Sequence, residues 1–187
     1  MDDAIKKMRD QISIPRVLGL HPKIRDEVKA RIEYVENKLG PYIAIRITQG
    51  SRSFAESDSM YAVGRTVRGA GVRPGRPMGN IITNARAGQS FHNYDLAFDF
   101  CILYDKDKNG TYESISWDLL KDMDRDGEAD WKEVVDAFQS IGYEWGGSWY
   151  SLKDNPHLQK TFGYTWQNLL LKYNTGQFIH GTKFVLL

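Results

Sequence analysis

Residues 90–104 read Ser-Phe-His-Asn-Tyr-Asp-Leu-Ala-Phe-Asp-Phe-Cys-Ile-Leu-Tyr, and this stretch organises the chain of 187 residues. From Leu96 to Tyr104 the side chains are apolar except for Asp99. The length and the aromatic content of this run predict a buried strand rather than a helix. A carboxylate inside such a strand is costly unless a cation or several hydrogen-bond donors lie against it. The sequence therefore predicts that a cation or several hydrogen-bond donors lie against Asp99.

Two histidines and a metal ion are candidates for such a partner of Asp99. His92 lies seven residues before Asp99 in a polar turn, and His157 comes later, in the segment Asp154-Asn-Pro-His157. Two imidazoles and one carboxylate form a mixed nitrogen and oxygen set that suits zinc, and three protein ligands leave a fourth position open for water. The alternative is that an arginine neutralises Asp99 and that both histidines are ordinary surface or capping residues.

The spacing of these residues resembles the signature of the zinc peptidases of peptidoglycan. That family contains D-Ala-D-Ala dipeptidases, D,D-carboxypeptidases and phage L-alanyl-D-glutamate endopeptidases. The signature residues are Ser90-x-His92-x6-Asp99 and Asp154-x-x-His157. The phrases most similar to the endopeptidase branch are Thr83-Asn-Ala-Arg86, Gln89-Ser-Phe-His-Asn-Tyr94, Glu144-Trp-Gly-Gly147 and Asp154-Asn-Pro-His-Leu-Gln159. The resemblance covers most of the chain, from His21 to Phe162.

The resemblance implies a complete zinc site. His92, Asp99 and His157 would hold Zn²⁺, which lowers the pKa of a bound water. Asp154 would act as general base on that water and return the proton to the leaving amine. We therefore expect zinc-assisted amide hydrolysis, with the stem peptide of bacterial peptidoglycan as substrate.

Two further residues receive roles from the same resemblance. Arg52 follows a predicted strand and matches the family arginine that contacts the carbonyl oxygen under attack, where a fixed cation stabilises the oxyanion. The alternative is a surface arginine paired with Glu56 one helical turn later. Ser90 either orients the substrate or only hydrogen-bonds its own turn. The family usually has Gly where this chain has Asp95, and Asp tolerates a positive φ better than most residues do.

The local patterns predict a single domain of the α+β class, with a small, mainly antiparallel sheet flanked by helices and the zinc site at the sheet. The resemblance supplies most of this fold. We expect helices at 2–12, 22–39, 54–65 and 165–173, and strands at 42–48, 96–104 and 182–187. The peptidase domain would span 1–187, with a leading helix and connector over 1–20, the catalytic core over 21–162, and a helix and strand over 163–187.

An acidic segment predicts a second, non-catalytic ion site. It reads Asp122-Met-Asp124-Arg-Asp126-Gly127-Glu-Ala-Asp130-Trp-Lys-Glu133 and matches the calcium-loop pattern at positions 1, 3, 5, 6, 9 and 12. Oxygen ligands at those positions wrap Ca²⁺, Gly permits the sharp bend, and the final Glu binds with both oxygens. The alternative is an acidic helix cap beside an exposed turn. A similar start at Asp105 has Ser116 at the twelfth position and is better interpreted as a turn.

The segment Gly64–Gly79 has five Gly, two Pro and four Arg, a composition typical of a loop. Its arginines are Arg65, Arg68, Arg73 and Arg76. They could contact carboxylates of the stem peptide or polyanions of the wall, or they could simply be solvated.

The composition excludes several classes of protein. A net charge of +1 provides no global attraction to nucleic acid, and no run is long enough for a transmembrane helix. Cys101 has no partner cysteine, so the fold does not depend on internal disulfides. The N-terminus lacks the apolar run of a secretory signal. We expect a monomer that accumulates in the host cytoplasm and reaches the wall after lysis, as a phage endolysin does.

These patterns leave three functions open. The first is an endopeptidase that cuts the L-Ala-D-Glu bond, and the second is a D,D-carboxypeptidase that releases terminal D-Ala. The third is a catalytically inactive module of the same fold that binds calcium or the wall.

Overall fold

The computed structural model describes residues 8–187. Residues 2–7 of the predicted leading helix lie outside this range, and residues 8–12 form a turn. The first described helix, α1, is Ser13–Leu18. The connector expected after residue 13 is therefore wrong, because Pro15 lies in the first helical turn, where its missing N–H is not needed.

The chain forms two compact units. The first comprises Met1–Gly50, described from residue 8 onward, together with Leu96–Thr161. The second comprises Ser51–Asp95 and Phe162–Leu187. None of the described helices has the length and apolar character needed to cross a membrane.

The first unit contains the predicted antiparallel sheet. Its five strands are β1 (Ile43–Gln49), β2 (Ala97–Tyr104), β3 (Ser114–Ser116), β4 (Glu144–Trp145) and β5 (His157–Gln159). The central strand is β2, which pairs with β1 along one edge and with β5 and then β3 along the other. Strand β4 pairs with β5. The register places Asp99 directly opposite His157, so the sheet itself brings these two side chains together.

Two helices cover the sheet and enclose an aromatic core. They are α2 (Pro22–Lys38) and α4 (Asp130–Gln139). The apolar stripe predicted for α2 is fully buried at Ile24, Val28, Ile32, Val35 and Leu39. The ring of Phe100 lies 4.5 Å from that of Trp131, and the ring of Phe98 lies 5.1 Å from that of Phe138. Cys101 is buried and free, as predicted.

The outer edge of β1 is closed by side chains instead of another strand. The backbone N–H of Ile45 donates to Glu36 Oε1 at 2.9 Å, and that of Ile47 donates to Ser13 Oγ at 2.7 Å. Arg9 Nη1 donates to the carbonyl oxygen of Ile43 at 2.6 Å. These bonds satisfy backbone groups that would otherwise pair with another chain.

Glu36 makes the stability of the fold depend on pH. Burial raises the pKa of its carboxyl from 4.5 to about 7, although the N–H donors of Ile45 and Arg9 oppose this shift. Over this range the native state holds a proton that the unfolded chain has released. The free energy of unfolding should therefore fall as pH rises, by up to about 3 kcal/mol. Urea unfolding at about pH 5 and about pH 8 should show this loss in the wild type. The loss should disappear in Glu36→Gln and persist in Glu113→Gln, which changes an exposed carboxylate.

The second unit contains α3 (Phe54–Ala62), a short 3₁₀ helix (Phe91–Tyr94) and α5 (Trp166–Asn174). The ring of Phe54 packs 4.6 Å from Tyr173 and 6.2 Å from Tyr94. The strand predicted over 182–187 is reduced to an isolated bridge between Phe178 and Val185. The loop predicted over 64–79 is present.

Candidate metal centre and active site

The first unit brings Asp99 and His157 into contact. His157 Nδ1 lies 3.2 Å from Asp99 Oδ1, and His157 is buried. Two donors bound to one tetrahedral zinc at about 2.0–2.1 Å are about 3.3 Å apart, so this pair has the spacing of two zinc ligands. The contact also suits a salt bridge if the imidazole is protonated.

The other nitrogen of His157 is held by residues that the sequence patterns did not single out as partners. His157 Nε2 lies 3.0 Å from Gln159 Oε1, and Gln159 Nε2 donates to Glu144 Oε2 at 2.9 Å. Thr161 Oγ1 donates to the other oxygen of Glu144 at 3.1 Å. When the Nε2–H of His157 donates to Gln159, the lone pair lies on Nδ1. Residues that hydrogen-bond a metal-binding histidine orient its ring in this way. The alternation along β5 could have indicated Gln159, because residues i and i+2 share a face.

A short turn carries Asp154 beside His157. The backbone N–H of His157 donates to the carbonyl oxygen of Asp154 at 3.2 Å, and that of Asp154 donates to the carbonyl oxygen of Gly146 at 3.1 Å. Trp145 Nε1 donates to the carbonyl oxygen of Asn155 at 2.7 Å. The turn is thus held by backbone bonds and one indole.

Gly146 is the position where this turn approaches another segment most closely. A Cβ at Gly146 would lie 2.5 Å from the carbonyl oxygen of Asp154 and 3.0 Å from the Cβ of His157. At Gly146 the structure therefore has a close contact that only glycine permits.

Gly146→Ala should therefore displace the turn that carries Asp154 and His157. We expect a loss of stability of about 1–3 kcal/mol from overpacking and a fall in hydrolysis of about a hundredfold from misplaced side chains. Gly19→Ala is the matched control, because its Cβ would meet only carbonyl oxygens at 3.4 Å and 3.5 Å. Thermal unfolding and the hydrolysis rate measure the two effects. Wild-type values for both in Gly146→Ala would contradict this interpretation.

The second unit places His92, Ser90 and Arg52 around one short turn. His92 is buried in the 3₁₀ helix, and Ser90 Oγ accepts the N–H of His92 at 3.3 Å as a cap. The backbone N–H of Arg52 donates to the carbonyl oxygen of His92 at 3.1 Å, and Asn93 Nδ2 donates to the carbonyl oxygen of Arg52 at 2.9 Å. Glu56 bonds Ser53 in a capping box.

Asp95 ends this turn with a left-handed backbone conformation. This conformation favours Gly, the residue that the family usually has here. The φ of Asp95 is +60° and its side chain is buried. Lys183 Nζ lies 3.1 Å from Asp95 Oδ2 and 3.3 Å from Ser51 Oγ. The C-terminal segment therefore neutralises the one carboxylate that replaces the glycine, and it ties two segments next to His92 together.

Each unit holds donors of the predicted ligand set. The first unit brings together one carboxylate oxygen, from Asp99, and one imidazole nitrogen, from His157, and zinc accepts both. The second unit holds the buried imidazole of His92.

In the structure the acidic segment forms a turn that leads into α4. Asp122 accepts the N–H groups of Arg125 and Gly127 at 2.6 Å and 3.0 Å, and both donors have a positive φ. Ligand atoms lie within 4.8 Å of one another in two groups, Asp122, Asp124 and Asp130, and Asp124, Asp126 and Glu133. Burial raises the pKa of Asp124, Asp130 and Glu133. Lys38 Nζ lies 3.0 Å from Glu133, so a protein cation already partly balances this charge.

Comparisons with known proteins agree on one family. A sequence profile described as D-alanyl-D-alanine carboxypeptidase matches residues 83–160. The peptidoglycan L-alanyl-D-glutamate endopeptidase CwlK of Bacillus subtilis is 41% identical over 146 residues, which cover 78% of this chain and 76% of CwlK. The structure of the L-Ala D-Glu endopeptidase ChiX of Serratia marcescens superposes with a TM-score of 0.52 at 20% identity, covering 86% of this chain and 95% of ChiX. The ChiX likeness confirms the predicted α+β fold.

Proposed function

We propose that this chain, which belongs to the D-alanyl-D-alanine carboxypeptidase family of peptidoglycan peptidases, hydrolyses the L-alanyl-D-glutamate bond of the stem peptide. The observation that carries the proposal is the 3.2 Å pair of His157 and Asp99 on adjacent strands, with Asp154 on the turn before β5. The names of CwlK and ChiX support the choice of bond.

In this proposal His92, Asp99 and His157 hold zinc. When bound, the ion polarises the scissile carbonyl and lowers the pKa of water toward about 7. Gln159 acts through His157, because its side-chain oxygen fixes the imidazole orientation and Glu144 in turn fixes Gln159.

The proton transfers are assigned to Asp154. Its carboxylate takes a proton from the water that attacks the alanyl carbonyl carbon. The carbon–nitrogen bond then breaks, and the same proton passes to the departing nitrogen of D-glutamate. Arg52 supplies a fixed positive charge for the oxyanion, and Ser90 orients the peptide or holds the turn of His92.

Digestion of purified muropeptides tests the reaction directly. The expected product carries a new free amine on D-glutamate, detected by amine labelling and mass spectrometry. Release of D-alanine would establish the D,D-carboxypeptidase alternative instead. Absence of both products from zinc-loaded protein would leave the inactive binding module.

The same proposal includes a calcium site made by Asp122, Asp124, Asp126, Asp130 and Glu133. Glu133 is buried, and its only charged partner within hydrogen-bond distance among residues 8–187 is Lys38. A cation that binds only the folded chain stabilises it, by about 2.7 kcal/mol at a hundred times its Kd. We expect Ca²⁺ to raise the Tm of the wild type and of Glu113→Gln, but not that of Glu133→Gln. A Tm unaffected by Ca²⁺ in the wild type would show that the loop is only a capped turn.

The phage-like setting is also part of the proposal. The phrases shared with the endopeptidase branch motivate it, as do the expected monomeric state and the wall substrate. Expression inside bacteria should cause lysis only when the inner membrane is permeabilised. Lysis without permeabilisation would contradict release by a separate pore.

A further inference from the structure

The two units carry opposite net charges that the total conceals. The second unit has eight Lys and Arg against three Asp and Glu, a net charge of +5. The first unit has 17 basic and 21 acidic side chains, a net charge of −4. The small net charge of the whole chain therefore does not exclude local attraction to a polyanion.

Much of the positive charge lies in one segment. Residues 64–88 contain five Arg and no Asp, Glu or Lys. Arg65 is used internally, because it stacks on Tyr61 at 3.7 Å and donates to the carbonyl oxygen of Thr83. Arg68, Arg73 and Arg76 are exposed. In the described part of the chain, none of these three pairs with a carboxylate, and the Arg76 guanidinium donates to the amide oxygen of Asn80.

These three arginines stand on a hairpin of defined shape. The N–H of Gly69 donates to the carbonyl oxygen of Met78 at 2.9 Å, and that of Asn80 donates to Ala70 at 2.7 Å. The turn closes where the backbones of Arg73 and Arg76 bond each other.

Glycine is required at two places in this hairpin. Gly71 and Gly79 have φ values of +72° and +82°, and a Cβ at either would lie 2.4 Å from another atom. The backbone of the hairpin that carries the three exposed arginines is therefore constrained.

We propose that this surface, Arg68, Arg73 and Arg76, binds the phosphodiester polymer that is covalently carried on peptidoglycan in many walls. The proposal rests on the proposed function, which places the enzyme on peptidoglycan. Guanidinium groups match phosphate oxygens in planar, two-point contacts, and several of them on one hairpin suit a chain of single negative charges. The surface lies outside the part of the chain that the family profile matches.

The composition of the hairpin disfavours two other polyanions. Residues 64–88 contain no Phe, Tyr or Trp. Aromatic side chains are the usual platforms for unpaired nucleic-acid bases, and they anchor proteins at the membrane interface. A polymer that offers only charge is the partner that such a surface fits.

The experiment measures wall binding without cleavage. Asp154→Asn protein is mixed with purified walls that keep their phosphodiester polymer and with walls stripped of it by acid, and the bound fraction is measured by sedimentation. The test variant adds Arg68→Gln, Arg73→Gln and Arg76→Gln. The charge-matched control adds Lys23→Gln, Lys106→Gln and Lys153→Gln, three exposed positions of the other unit. Circular dichroism checks that both remain folded.

We expect the arginine variant to bind intact walls about tenfold more weakly than the lysine control does. Stripping the walls should weaken binding of the parent protein by a similar factor. Added salt should weaken wall binding most for the parent protein. Three results would overturn the proposal: equal binding by the two variants, undiminished binding to stripped walls, or equal capture by phosphatidylglycerol vesicles. Muropeptide digestion by the wild type is scored separately, so a failure of binding and a failure of the proposed reaction are distinguishable.

Discussion

Asp154→Asn should reduce kcat for the stem peptide by about 10²–10⁴-fold while zinc stays bound at full stoichiometry. An amide has nearly the shape of a carboxylate, but it cannot accept a proton from water. The turn should keep its place, because its bonds to Gly146 and His157 come from the backbone of residue 154. The defect should therefore appear in kcat, with KM little changed.

Two variants separate the role of Asp154 from that of nearby acids. Glu144→Gln removes the other carboxylate of this region, which bonds Gln159 and Thr161 and therefore has a positioning role. We expect a smaller loss of activity together with weaker zinc binding. Asp26→Asn changes an exposed carboxylate and should leave both unchanged. If Glu144→Gln lost more kcat than Asp154→Asn, the assignment of the general base would be reversed.

The sequence was sufficient for elements whose patterns are local. The run Leu96–Tyr104 predicts the central strand because burial on both faces makes it uniformly apolar. The apolar stripe that begins at Ile24 predicts α2, because its members recur at helical spacing. The predictions fail where a tertiary contact decides. Thr182–Leu187 is apolar enough for a strand, but in the structure it folds back on residues 177–179 and forms one isolated bridge.

The candidate site shows the same division. The motif spacing identified the ligand types, and pairing between strands that are 58 residues apart in sequence then aligned Asp99 with His157. Periodicity does not determine that register, because it depends on the β2–β5 pairing. The Gln159–Glu144 link and the constraint on Gly146 were missed because both arise from contacts between segments. Asp95 was singled out from the resemblance alone, and its partner Lys183 lies 88 residues away.

A scan of the four histidines should divide them into two classes. His92→Ala and His157→Ala should lose zinc, measured by elemental analysis, and should lose hydrolysis with it. His180→Ala should keep both, because this exposed residue lies outside the motif segments. His21→Ala should keep zinc but lose about 1 kcal/mol of stability, because the His21 ring caps α2 by accepting the N–H of Lys23.

The ligand assignment requires that metal and activity disappear together. Removing one of the three protein ligands should abolish zinc binding. Gln159→Ala removes only the partner of His157 Nε2 and should weaken zinc binding by about 10–100-fold. Excess zinc should therefore restore Gln159→Ala and should fail to restore His157→Ala. Restoration of His157→Ala by zinc would mean that the metal binds elsewhere. Full zinc content in His157→Ala would mean that the 3.2 Å contact with Asp99 is a salt bridge of the fold.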